Sequence, residues 1–428
     1  MLKSTDTYQE LKQSIDETPL SDCHEHLAFE TDLINQEFDF WGPLLQYTVD
    51  DLNSALGAFD PDYVFRSGKL SEEERWEFFK ARYDRCRNTG YLQALRMTCR
   101  ALFGVEPDSL ESMRKIDEEA KKLRKPGILK HLVKEVANVD VAIVVRSFDS
   151  PEDPPFIKRI IMFNEQILFS HTDCLREMEK QTGVRVHRLQ HLEEHYRRWI
   201  DMCVERGAVG FKTPIAYIRP INFPKPTSAE AEQLLQRVID FTKAPWMSGE
   251  PLSVEEATPL TNYAMHLFLE ILDEKKLPVS FHTGIQARGR NDIRKTNPSQ
   301  LINLFNEYPD VRFDLFHGGY PYGHEWVELA KTWPNVYLNF CWVNSISPHN
   351  ARELLAEALE CVPINKIFAF GGDVGRPELV VGMAQQAREN VALVLAEKVE
   401  LGIFSMEEAK DYGEHILRTN AREMWNLD

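Results

Sequence analysis

Ser21-Asp22-Cys23-His24-Glu25-His26 sits between a polar segment with helical spacing and a long helix-rich excursion. Read as extended chain, it alternates its side chains between two faces, so Asp22, His24 and His26 point the same way. Two imidazoles two residues apart on one strand reach one metal ion, and neutral imidazole is the commonest protein ligand for zinc and its neighbours. With 13 histidines in 428 residues, one such pair is weak evidence by itself, because about 0.4 are expected by chance. Its weight comes from far downstream: Phe281-His282-Thr283-Gly284, Phe316-His317-Gly318-Gly319 and Phe370-Gly371-Gly372-Asp373. Each sets a potential ligand at the close of a short apolar run. That recurrence organises the chain.

Working outward, each run is preceded by a helical segment. Helix 261–275 leads into a strand at 277–281 and His282. Helix 298–307 leads into 311–316 and His317. Helix 324–333 leads into 336–340, and helix 350–361 into 367–370 with Asp373 beyond. Upstream, 139–145 (VDVAIVV) is a short, continuous β-branched run typical of a buried parallel strand. Ala208-Val209-Gly210-Phe211-Lys212 reads as another strand after a helix over 188–206 that Gly207 stops. Residues 159–163 and 184–189 both qualify as the third strand. The period is strand, loop, helix, with about eight strands, the grammar of a (β/α)8 barrel. An open doubly wound sheet would want a glycine-rich phosphate fingerprint after the first strand, and there is none. Residues 27–135 carry almost no strand pattern and read as a helical insertion after strand one, placed to cover a site at the barrel mouth. The whole of 1–428 is expected to be one barrel domain with that insertion. At the far end, Pro377 opens a long helix over 377–401, and Ser405 with Glu408 forms a capping box.

A hydrophobic content of 43% supplies a substantial core, and the formal charge of −17 argues against nucleic acid and against a membrane surface. No apolar run approaches the ~20 residues of a spanning helix. The first 20 residues lack the apolar stretch of a signal peptide, so a cytoplasmic location is expected. Seven cysteines without C-x-x-C spacing read as reduced thiols. The expected partner is a small-molecule substrate, with a homo-oligomer possible.

In such a barrel the active site lies at the carboxyl ends of the strands. His24, His26, Lys212, His282, His317 and Asp373 all fall there. That order resembles the amidohydrolase superfamily, with Ile416-Leu417-Arg418-Thr419-Asn420-Ala421 similar to its C-terminal helix. Gly210-Phe211-Lys212-Thr213-Pro214-Ile215-Ala216-Tyr217 and His317-Gly318-Gly319-Tyr320-Pro321 resemble the amidohydrolase-2 branch, which includes hydrolases, lactonases and non-oxidative decarboxylases. The insertion, with its Tyr91-Leu92 segment, is also similar to uronate isomerases. The resemblance implies a divalent metal, zinc by default, as one ion or two. His24, His26 and Asp373 would hold the first ion. With two ions, Lys212 would be carbamylated and bridging, and His282 and His317 would hold the second. With one ion, His282 completes the first site and His317 polarises the substrate. Asp373 and His317 are the catalytic candidates: Asp373 to carry the proton, His317 to face a developing negative charge. Lys212 reads equally as an ion-pair partner, and Asp22 as a support for the histidine pair.

Tyr217, Arg219, Arg288 and Arg290 lie in the loops after strands four and five, where guanidinium groups could clamp a carboxylate; solvated loop arginines are the plain alternative. Trp41 and Trp342 read as core, or as walls of the pocket. His191-Leu192-Glu193-Glu194-His195 fits the H-x-x-E-H zinc-peptidase pattern. It is offset from the stripe Leu189-Leu192-Trp199, so it is expected to face solvent without a cleft. The functional expectation is hydrolysis of a small, carboxylated or sugar-acid-like substrate through a metal-activated water. A uronate isomerase-like or decarboxylating enzyme on the same metal site is the alternative, and a metallopeptidase at His191 and His195 a remote one.

Overall fold

The computed structural model describes residues 2–42, 44–56, 65, 68–170, 173–243, 251–289 and 291–427. Eight parallel strands follow one another in sequence order, each paired to the next. They are β1 (Leu20–Glu25), β2 (Val139–Arg146), β3 (Ile157–Met162) and β4 (Ala208–Thr213). Then come β5 (Val279–Phe281), β6 (Phe313–Leu315), β7 (Val336–Asn339) and β8 (Ile367–Phe368). Three backbone bonds join the segment after β8 to β1 and nearly close the barrel. Cys23 N–H donates to Phe370 O (3.1 Å), Asp373 N–H to His24 O (2.9 Å) and His26 N–H to Val374 O (3.1 Å). Residues some 350 positions apart in the chain thus become neighbours at one mouth, as the (β/α)8 reading requires.

The third strand is the 157–162 segment. Residues 184–188 instead form the irregular link between helices Cys174–Thr182 and Leu189–Glu205. Val184 and Val186 are buried there, but β4 already has a neighbour on each side, β3 and β5. Apolarity alone does not make a strand when no ladder position is open. A second departure lies in β1: Asp22 pairs with Ala142 and Glu25 with Val144, so three residues stand opposite two. This bulge breaks the simple alternation of side chains.

The described part of the insertion is helical: Glu30–Asn35, Thr48–Leu56, Glu72–Cys86, Gly90–Phe103 and Leu110–Lys122. Helix Glu72–Cys86 starts with a complete capping box between Ser71 and Glu74. Helix Gly90–Phe103 lies tight along Pro377–Glu400, and a Cβ on Gly382 would come 2.2 Å from Ala94 O. Trp41 is core, stacked on Phe65 with centroids 5.5 Å apart. At the amino-terminal end of the barrel, Ala421, Met424, Trp425 and Leu427 pack under Cys23, Val141, Ile143, Ile160 and Phe368. That apolar plug leaves the opposite end for chemistry. All seven cysteines are free thiols. Among the described residues no helix is long and apolar enough to cross a membrane.

Candidate active site

His24 is the penultimate residue of β1, its ring fully buried and neither nitrogen hydrogen-bonded. Its Nε2 lies 3.2 Å from Asp373 Oδ1, and His26 Nε2 lies 3.2 Å from the same oxygen. Asp373 Oδ1 is itself buried and without a hydrogen bond. The donor atoms of the three residues all lie within 4.8 Å of one another. Burial pushes the His24 imidazolium pKa down to about 3, so the ring is neutral and carries a free lone pair. Burial alone would raise Asp373, yet its close contacts with His24 and His26 pull it well below the usual carboxylate range. Buried polar atoms without partners are costly. Two donors on one zinc ion at ordinary bond lengths stand about 3.3 Å apart, close to the spacing found here. His26 opens toward solvent with its side chain 41% exposed, which leaves a way in.

A second pair adjoins the first. His282 Nε2–H donates to Ile285 O (2.9 Å), which fixes the tautomer and turns the Nδ1 lone pair toward His317 Nε2, 3.1 Å away. His317 Nε2 is also 3.9 Å from Asp373 Oδ2. Its other nitrogen lies 3.2 Å from both Cys341 O and Cys341 Sγ. Burial pushes His282 down to about 3 and His317 well below its ordinary value, so both are neutral. Lys212 is buried at the end of β4, and its Nζ makes no hydrogen bond among the described residues. Burial lowers its pKa, which favours the neutral amine that carbamylation needs. Three residues of this mouth hold left-handed backbone: His317 (φ 65°), Trp342 (φ 62°) and Asp373 (φ 56°). Each costs about 1–3 kcal/mol, and such strain collects at functional sites.

A family model described as Amidohydrolase matches residues 163–427. This chain belongs to the Amidohydrolase family. The match takes in Lys212, His282, His317 and Asp373; the fold itself brings His24 and His26 to them. Protein fluG from Emericella nidulans is 29% identical over 236 residues, which are 53% of this chain and 27% of fluG. The chain therefore spans 27% of the length of that relative. Several solved structures share the fold. Uronate isomerase from Thermotoga maritima aligns with a TM-score of 0.80 at 17% identity over 99% of this chain and 98% of that one. Glucuronate isomerase from Caulobacter crescentus aligns at 0.73 and 15% identity over 99% and 94%. The family implies a divalent metal, and the orphaned donors of His24, His26 and Asp373 fit one.

Tyr47, Glu25 and Cys341 of this site escaped the sequence reading. Tyr47, from the insertion, donates its hydroxyl to Asp373 O (2.5 Å) and stacks on Trp342 with centroids 4.3 Å apart. Trp342 is in turn edge-on to His317 (5.1 Å) and lies over Tyr91 (6.2 Å); at 1% exposure it packs against His317 as core. Glu25 Oε2 accepts from Val374 N–H (2.6 Å), in the segment after β8. Cys341 follows the apolar end of β7 as His282 and His317 follow theirs, and the same strand-end rule would have found it. Gly371 and Gly372 are required by crowding: a Cβ would come 2.5 Å from Cys341 Cβ and 2.2 Å from Glu25 Oε1, respectively. Asp22 supports the pair through its own Oδ1, which accepts from His24 N–H (3.2 Å). Burial raises its pKa to about 7.

The candidate carboxylate clamp is dispersed. Arg219 is buried and spends its guanidinium on Asn262 Oδ1 (2.6 Å), Asn222 O (2.6 Å) and Pro220 O (3.2 Å). It fastens the loop after β4 and is committed elsewhere. Tyr217 packs on the His282 ring (4.7 Å) and accepts from Ala287 N–H (3.0 Å). Arg288 is exposed at the rim, its backbone N–H bonded to Asp50 Oδ2 (3.0 Å). Arg290 lies outside the described residues.

The H-x-x-E-H pattern is structural, and the expectation that it faces solvent is corrected. His195 is fully buried, its Nδ1 bonded to Thr182 Oγ1 (2.8 Å) and its Nε2 to Gln166 Oε1 (2.7 Å). Both nitrogens are taken, so it cannot serve as a ligand with His191. Its spacing from Leu192, Tyr196 and Trp199 places it inside the apolar stripe. Burial lowers its pKa from 6.5 to about 4. Between those values the unfolded chain binds the extra proton, so this residue costs stability as pH falls from 6.5 toward 4. In urea titrations over that range, His195→Asn is expected to lose stability less steeply than wild type. Parallel pH profiles would contradict the assignment.

Proposed function

We propose that this chain is a metal-dependent hydrolase acting on a small substrate that carries a carboxylate or is sugar-acid-like. One observation carries the reading. The unpaired donors of His24, His26 and Asp373 converge at the barrel mouth, beside a neutral His282–His317 pair. A divalent ion bound there, with zinc the first candidate, lowers the pKa of a nearby water and polarises a carbonyl. The protein's own residues do the rest. Asp373, ionised and placed between the two pairs, accepts the proton of the attacking water and passes it to the leaving group. His317, beside these donors, faces the oxygen on which negative charge develops. Tyr47 and Tyr217 supply flat apolar faces for the substrate, and Arg288 a positive rim.

A sugar-acid isomerase is the second reading, favoured by the near full-length fold likeness to the uronate isomerase. The two chemistries differ in the fate of water. Run in oxygen-18 water on an acyl substrate, the reaction is expected to place label in the product acyl group beyond passive exchange. An equal-mass aldose–ketose change without such label would reject hydrolysis and promote the isomerase.

A further inference from the structure

Glu25 stands between the two histidines, is fully buried and faces away from solvent on a bulge. Filling core volume would be an expensive use of a carboxyl group, which must be desolvated to sit there. Its Oε2 accepts from Val374 N–H at 2.6 Å, and Gly372 leaves room for its Oε1. On the other side, Tyr47 Oη donates to Asp373 O at 2.5 Å. Gln46 adds a 3.4 Å contact from Nε2 to the same oxygen and accepts from Gly375 N–H at 3.0 Å. Asp373 N–H is already tied to His24 O. Both peptide planes flanking Asp373 are therefore fixed, and Asp373 holds φ at 56°, a conformation that a free aspartate leaves readily.

We infer that Glu25 and Tyr47 are positioning residues that hold the Asp373 carboxylate at the metal centre by pinning the Asp373–Val374 peptide from its two ends. The inference rests on the metal-centre reading above. It makes the insertion after β1 part of the site's frame, because Gln46 and Tyr47 belong to the insertion. What the peptide needs from Glu25 is an acceptor, which a glutamine carbonyl also offers while its amide donates to Asp22.

The test uses the full chain and Co2+ alone, read by direct titration and by the visible absorption of the bound ion, with thermal melts of the metal-free proteins. Wild type is expected to bind Co2+. Glu25→Ala and Tyr47→Phe should each weaken it about 10–100-fold and alter the absorption band, as expected for groups that orient a ligand. The metal-free Tyr47→Phe protein should melt near wild type. Glu25→Gln should restore affinity to within about threefold of wild type. Wild-type affinity and spectrum in both Glu25→Ala and Tyr47→Phe would overturn the inference, as would a Glu25→Gln protein as weak as Glu25→Ala. If Glu25→Ala does not fold, Tyr47→Phe decides alone. Failure of wild type itself to take up Co2+ would overturn the metal-centre reading and this inference with it.

Discussion

Asp373→Asn is expected to keep its fold and lose turnover by about a thousandfold or more, the scale of removing a positioned acid–base group. The side chain is nearly isosteric, and the backbone bonds that place it run through residue 373's own N–H and carbonyl, which the substitution leaves alone. What is lost is a carboxylate whose Oδ1 has no hydrogen-bond partner and whose Oδ2 sits 3.9 Å from His317 Nε2. An amide cannot take up a proton there. It also offers an N–H to imidazoles or an oxygen without charge, and either weakens the convergence of donors. The measurement is kcat on the acyl substrate used in the labelling experiment, alongside a thermal melt. Turnover within threefold of wild type would move the proton-carrying role away from Asp373, with His317 the next residue to change.

How much of this was legible in sequence follows from the range of the interaction involved. The strand-end positions of His282 and His317 are local facts, since an apolar run of the right length ends at each one. The barrel is legible because that pattern repeats with a helix between each run. The third strand was ambiguous because Val184 and Val186 are apolar for a different reason, packing without a ladder partner. Arg219 looked like a clamp because its sequence neighbourhood is a loop; its actual partner Asn262 is 43 positions away. His195 was readable in principle, being three residues from Leu192 and four from Trp199, but the zinc-peptidase spacing drew attention from the stripe. Glu25 was hidden by the bulge, which strict alternation cannot anticipate. Tyr47 lies in an insertion whose helical periodicity says nothing of which residue reaches Asp373.

The second large effect concerns the metal itself. His24→Ala combined with His26→Ala is expected to fold, because the backbone of β1 keeps its bonds to the segment after β8 and the plug beneath is untouched. It removes two of the three converging donors, so metal content should fall to near zero and activity with it. Removing the ion from wild type with a chelator should reproduce the loss, and adding it back should reverse it for wild type alone. The most direct check is an anomalous difference map of wild-type crystals at the absorption edge of the ion they carry. The account predicts a peak about 2.0–2.2 Å from His24 Nε2, His26 Nε2 and an Asp373 carboxylate oxygen, absent from the double variant. No peak among these three residues, or a full-strength peak surviving in the double variant, would contradict it.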